Sequence, residues 1–201
     1  IKLDYYAENG TDVLSAGLKT YVISPITTNT VYSYRYVNCQ GLVASGVQED
    51  GERIAFQTHH DPRILGDEKL SHAFQTDLTT RLNELRLQSQ EGSIDVVMFG
   101  GDAQTQLEFD PQIAENKTRA EDYKMAANVV SHIIEMEYKF APRIVSEPRV
   151  RSTHTDLGDG PLYIGHTGIY DTAKGRLHIL IYRENAEGHK INYRASDIDQ
   201  V

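Results

Sequence analysis

Residues 53–90 read RIAFQTHHDPRILGDEKLSHAFQTDLTTRLNELRLQSQ, and the fold turns on a change of period inside that stretch. Arg53 to Thr58 reads as a strand that runs into His59-His60-Asp61-Pro62. From Asp67 to Gln90 the pattern becomes helical, because Leu70, Phe74, Leu78, Leu82 and Leu85 recur at three- and four-residue intervals and line one face. Glu91-Gly92 stops that helix. A strand feeding an amphipathic helix is the first sign of a layered fold.

Downstream, Ile94 to Phe99 is a short apolar run ending in Gly100-Gly101, as expected of a buried strand and a tight turn. Residues 119–138 form a second helix with Met125, Val129, Ile133 and Met136 expected on its buried face. Phe140 to Val150 reads as a further strand interrupted by Pro142 and Pro148, and Ser152 to Gly168 reads as a loop rich in Gly and His. Leu177 to Tyr182 is a strand, and the segment around Ile191 to Tyr193 is expected to pair with it. Upstream, Gln48 to Arg53 is a hairpin turn, since Asp50-Gly51 supplies the positive φ that tight turns need. Leu42-Val43-Ala44 either starts a helix or continues a strand. Val31 to Val37, rich in Tyr and Val, is extended, and so is Tyr21 to Ile23 within an otherwise irregular first 30 residues. Strands precede, separate and follow two helices. The expectation is an α/β or α+β fold, a mixed β-sheet packed against two main helices, as one layered domain over residues 1–201.

The chain has 201 residues, 39% hydrophobic and 24% charged, which is an ordinary globular balance. Its net charge of −9 argues against nucleic-acid binding, which depends on Lys and Arg displacing counterions. No apolar run approaches the roughly 20 residues that span a bilayer, so no membrane partner is expected. One cysteine cannot form an internal disulfide, which fits the cytoplasm, with secretion into a host cell as the alternative.

That cysteine, Cys39, stands between the expected Tyr-rich strand and a Gly-containing turn, where backbone N–H groups can face a reacting oxygen. A nearby imidazole would activate the thiol and protonate a leaving group, and His59 and His60 end the following strand. Pairing of that strand with Val31–Val37 would bring one of them to Cys39. The plainer alternative is a small buried hydrophobe. His59-His60-Asp61 also offers metal-ligand types, but adjacent strand residues point to opposite faces, so any metal site falls more naturally on His154 and His166. No metal and no cofactor is expected. Gly100-Gly101-Asp102 and Asp156-Leu157-Gly158-Asp159-Gly160 are turns, lacking the spacings of a phosphate or calcium loop. Tyr32, Tyr34 and Tyr36 alternate, so they share a strand face and form either sheet packing or a protein-recognition surface.

The order of these elements resembles the chemoreceptor glutamine deamidases of CheD type, whose fold some glutamine-deamidating toxins share. In that family a cysteine ends a strand, a Thr six residues earlier orients the histidine, and the histidine follows on the next strand. Here Ser33 stands at the Thr position, and His59 or His60 follows Cys39. Val96-Val97-Met98-Phe99-Gly100-Gly101 resembles the family's strand ending in Phe-Gly-Gly. The resemblance implies hydrolysis of a glutamine carboxamide in a protein substrate, with Cys39 as nucleophile, one histidine as acid and base, Ser33 holding the ring, and oxyanion donors at Asn38 and Gln40. The rival is a non-enzymatic binding module built on the tyrosines. Transglutaminase or protease chemistry would share the first acylation step.

Overall fold

A computed structural model describes residues 11–12, 21–33, 36, 39–100, 114–145, 163–184 and 190–199. Its strands are β1 (Thr11–Asp12), β2 (Tyr21–Ile23), β3 (Val31–Ser33), β4 (Gln40–Val47), β5 (Arg53–His60), β6 (Asp95–Gly100), β7 (Arg143–Ile144), β8 (Tyr163–Asp171), β9 (Arg176–Glu184) and β10 (Lys190–Asp199). Its helices are α1 (Glu68–Gln88) and α2 (Ala114–Tyr138), with a short 3-10 helix at Pro62–Gly66. The fold is α+β, with mixed β-structure packed against two helices.

The expected mixed sheet is in fact two five-stranded sheets, ordered β1-β3-β8-β9-β10 and β2-β5-β4-β6-β7. Each contains one parallel pair, β1 with β3 and β6 with β7. Alternation along β4, β5 and β6 gives the second sheet two buried faces. Leu42, Ala44, Ile54, Phe56, Val96 and Met98 face the helices and pack on Phe74, Leu78, Leu82 and Leu85 of α1 and Ala127, Val130 and Ile134 of α2. Cys39, Val43, Ala55, Val97 and Phe99 pack with Tyr170, Leu177 and Ile179 of the first sheet. Two sheets and a helix layer therefore stack around two cores. A strand buried on both faces has no hydrophilic side to show, which explains the near-continuous burial of β4 and β5.

Helix α1 matches its sequence pattern. Asp67 caps its start, accepting from the N–H groups of Lys69 and Leu70 at 3.0 Å. Helix α2 is partly rotated from expectation: Ile133 packs against the core as expected and Val129 is half-buried, but Ala126, Ala127, Val130 and Ile134 are the buried residues, whereas Met125 is 39% and Met136 57% exposed. The small alanines sit on the buried face, and the flexible methionines take the outer side.

Of the two readings of Leu42-Val43-Ala44, the strand holds: it lies within β4, which pairs with both β5 and β6. Two further expectations are corrected. Tyr163–Gly168, read as part of a loop, lies within β8, while residues 151–162 lie outside the described ones. The strand expected over Val31–Val37 is described only as Val31–Ser33, and it does not pair with β5; it belongs to the other sheet, between β1 and β8. The turn between β4 and β5 is as read, with Gly51 at φ 87°.

Candidate functional site

The register of β4 against β5 decides which histidine shares a face with the cysteine. Gly41 lies opposite His59 and Gln40 opposite His60. Opposed residues share a face, and faces alternate, so Cys39, Gly41 and His59 turn toward the first sheet while Gln40 and His60 turn toward the helices. There the ring of His59 meets Ser33 of β3, with Ser33 Oγ 3.0 Å from His59 Nδ1. Ser33 reaches His59 across the gap between sheets, not along a strand pairing.

Tyr36 completes the cage around that imidazole. Its ring stacks on His59 with centroids 4.0 Å apart and planes at 19°, and its edge meets Phe99 at 5.0 Å. The Tyr36 hydroxyl donates to Thr58 O at 2.8 Å and accepts from Gln57 Nε2 at 2.8 Å, so the ring cannot pivot freely. Phe99 fits because glycines stand on both sides. A Cβ on Gly41 would lie 2.6 Å from Phe99 Cζ, and one on Gly168 of the opposing sheet 2.4 Å from the same atom. Cys39 packs in this cluster at 8% exposure.

Asp61 closes the other side. Its backbone remains extended, at φ −80° and ψ 123°, so strand alternation turns it to the face that carries His59. It is 2% exposed and accepts from Arg63 Nε at 3.0 and 3.1 Å through its two oxygens, while its Oδ1 also caps the 3-10 helix by accepting from Arg63 N at 2.9 Å.

The electrostatics follow from this burial. Loss of water pushes the Cys39 thiol up to about 12, with Asp61 adding to the rise and Arg63 opposing it. Burial pulls the His59 imidazole down to about 4, with Asp61 acting the other way. At neutral pH both groups are uncharged. On this face the site holds a neutral thiol and a neutral imidazole, not a ready-made thiolate–imidazolium pair.

His60 belongs to a different network. Its Nδ1 lies 3.2 Å from Thr58 Oγ1 and its Nε2 3.0 Å from Gln40 Oε1. Gln40 Oε1 can only accept, so Nε2 carries the proton and donates to it, and the bare Nδ1 accepts from the Thr58 hydroxyl, whose oxygen in turn accepts from Leu42 N at 3.1 Å. Phe74 of α1 packs on the ring at 4.7 Å. Burial, then the neighbouring His59, lowers His60 to about 3. It is a neutral core residue anchored to the strand that follows Cys39.

Of the expected site, Ser33, Cys39 and His59 share the space between the sheets, and His60 does not. Asn38 lies outside the described residues, and the Gln40 side chain faces the helices while its backbone lies within β4, opposite His60 on one side and Gly100 on the other. His154 lies outside the described residues, as does the side chain of His166; among the described residues no three His, Cys, Asp or Glu side chains group as metal ligands do. Tyr32 is buried with Ile169 and Leu180, in a different cluster from Tyr36, so these two tyrosines do not share an exposed stripe. Tyr34 lies outside the described residues. In sequence Tyr36 has no place beside the histidine, only one in a tyrosine stripe, and Gln57 and Arg63 have no role. The only signal was the closeness of Tyr36 to Cys39, and nothing local marks Gln57, which works across sheets by also donating to Gly168 O at 3.3 Å.

The chain matches no protein-family model and no curated protein sequence. The functional reading therefore rests on the residues themselves. Among the described residues, no helix is long and apolar enough to cross a membrane.

Proposed function

We propose that the protein is a cysteine-dependent amide hydrolase acting on glutamine side chains, with Cys39 as nucleophile, His59 as general base and acid, and Ser33 holding the imidazole. The observation that carries this reading is the 3.0 Å contact between Ser33 Oγ and His59 Nδ1 on the face that also holds Cys39. It is the bond that the resemblance to CheD-type deamidases implies, formed between residues 26 apart that lie in different sheets.

With Nδ1–H donating to Ser33, Nε2 keeps its lone pair and is the basic nitrogen. As the Cys39 sulfur bonds to the carboxamide carbon, the thiol proton passes to His59 Nε2 and the carbonyl electrons move onto oxygen. Backbone N–H groups near Cys39 are the candidate donors to that oxyanion. The C–N bond then breaks, His59 returns the proton to the departing nitrogen, and ammonia leaves. Water next adds to the thioester with His59 taking its proton, the C–S bond breaks, and the thiol recovers a proton. Amide and water become carboxylic acid and ammonia. Because the resting pair is neutral, proton transfer accompanies attack, as it does in serine–histidine sites.

The test is ammonia release from benzyloxycarbonyl-Gln-Gly and from unfolded casein, with Gln-to-Glu conversion read by mass spectrometry. The reading requires activity in the parent protein and none in Cys39→Ser. Equal ammonia from both proteins overturns it. Added primary amine identifies a transglutaminase if a substituted amide appears in place of the acid.

A further inference from the structure

Asp61 and Arg63 are not used by the three-residue scheme, yet the charges of both act on the thiol. Asp61 follows His60, the last residue of β5, with an extended backbone at φ −80° and ψ 123°, so strand alternation turns it to the face of His59. A carboxylate at 2% exposure needs partners, and Arg63 supplies them through its backbone N–H and its guanidinium. The Arg63 side chain is 38% exposed, so this ion pair runs from solvent to a buried carboxylate.

We infer that Asp61 and Arg63 are an electrostatic pair that tunes Cys39 and His59 in opposite senses, the carboxylate favouring the imidazolium that forms when the thiol proton is taken, the guanidinium screening that carboxylate from the thiolate sulfur. The pair acts through the two reacting side chains, which makes Asp61 and Arg63 positioning residues. Its catalytic meaning rests on the reading proposed above. Its effect on the thiol does not.

The charges are consistent with this geometry. Among the described residues, Asp61 and Arg63 are the charged groups acting on the Cys39 thiol, in opposite directions, and Asp61 also acts on His59. Asp122 of α2 acts on Arg63 in turn, and the neutral His59 and His60 complete the surroundings. An isolated carboxylate here would help the imidazolium but oppose the thiolate. Pairing it with a cation lowers the second effect while keeping the first.

Cys39 is the only cysteine, so a chain labelled with [13Cβ]cysteine gives one resonance that reports thiolate formation as pH rises. Asp61→Asn keeps an oxygen for the helix cap and should move the titration midpoint down by about one pH unit. Arg63→Gln leaves the carboxylate unscreened, and its resonance should still be that of the thiol at the pH where the parent is half titrated. Loosened packing would move both variants down toward the ordinary thiol value. Shifts in the same direction, or no shift in either, overturn the inference. Opposite shifts in a protein that deamidates neither probe uphold the pair and sink the proposed function alone.

Discussion

His59 and His60 are neighbours in one strand, both buried and both held neutral, yet they serve different parts of the molecule. His60 has hydrogen-bond partners on both ring nitrogens, Thr58 and Gln40, and an aromatic neighbour in α1. His59 is tied at Nδ1 alone, and its Nε2 has no hydrogen-bond partner among the described residues. A histidine with both nitrogens committed is structural; one with a nitrogen in reserve can move a proton. The difference arises from strand alternation alone, since a one-residue step carries the side chain from the helix core to the inter-sheet cluster that holds Cys39.

The sharpest way to break this contrast is to remove each ring in turn. His59→Ala should lower the rate of glutamine hydrolysis by about 10²–10⁴-fold, measured as ammonia release under saturating peptide. His60→Ala should act on stability, destabilising by about 3 kcal/mol in a urea titration, because it opens a cavity beside Phe74 and strands Thr58 and Gln40. Equal loss of activity per folded molecule in the two variants would erase the distinction.

Acid sharpens the comparison next. In the unfolded chain both imidazoles take protons below about 6.5, whereas in the fold His59 does so only near 4 and His60 near 3. The unfolded state therefore binds more protons in that window, and stability falls as pH drops from about 6.5 toward 4. The slope should approach roughly 1.4 kcal/mol per pH unit for each histidine. His60→Gln should halve it, as read by denaturant midpoints across that range. An unchanged slope would mean that His60 titrates normally.

The smallest effect concerns the tether. Ser33→Ala removes the Nδ1 partner and should reduce hydrolysis about tenfold, with a stability loss of about 1 kcal/mol. Ser33→Thr, which restores the hydroxyl, should recover most of the rate. Recovery absent in Thr would place the effect in packing instead.

Helix α1 was legible because its apolar residues repeat with the helical period, whereas its Asp67 cap is seen only in the structure. The hairpin at Asp50-Gly51 was legible because a local turn rule applies. The two-sheet arrangement was not, since periodicity marks a strand without naming its partner: Val31–Ser33 and Arg53–His60 look like neighbours in sequence but lie in different sheets. Strand β8 was hidden by Gly165 and Gly168, poor strand formers, and at Gly168 the absent side chain is what admits Phe99. The buried face of α2 was missed because Met125 and Met136 outweigh Ala126 and Ala127 in hydrophobicity, whereas close packing favours the smaller side chains. At the site, alternation placed His59 and His60 on opposite faces, but only the pairing of Gly41 with His59 says which face carries Cys39. Tyr36 was counted with a stripe of tyrosines, because nothing in the sequence reveals that its ring lies on an imidazole of another strand.

The central claim is that His59, and not His60, serves Cys39. The most direct measurement compares His59→Gln and His60→Gln in benzyloxycarbonyl-Gln-Gly hydrolysis at pH 7, with each rate divided by the folded fraction from circular dichroism. His59→Gln should lose at least about 10²-fold in rate, and His60→Gln should stay near the parental rate. A near-parental rate in His59→Gln, or a comparable loss in both variants, would contradict it.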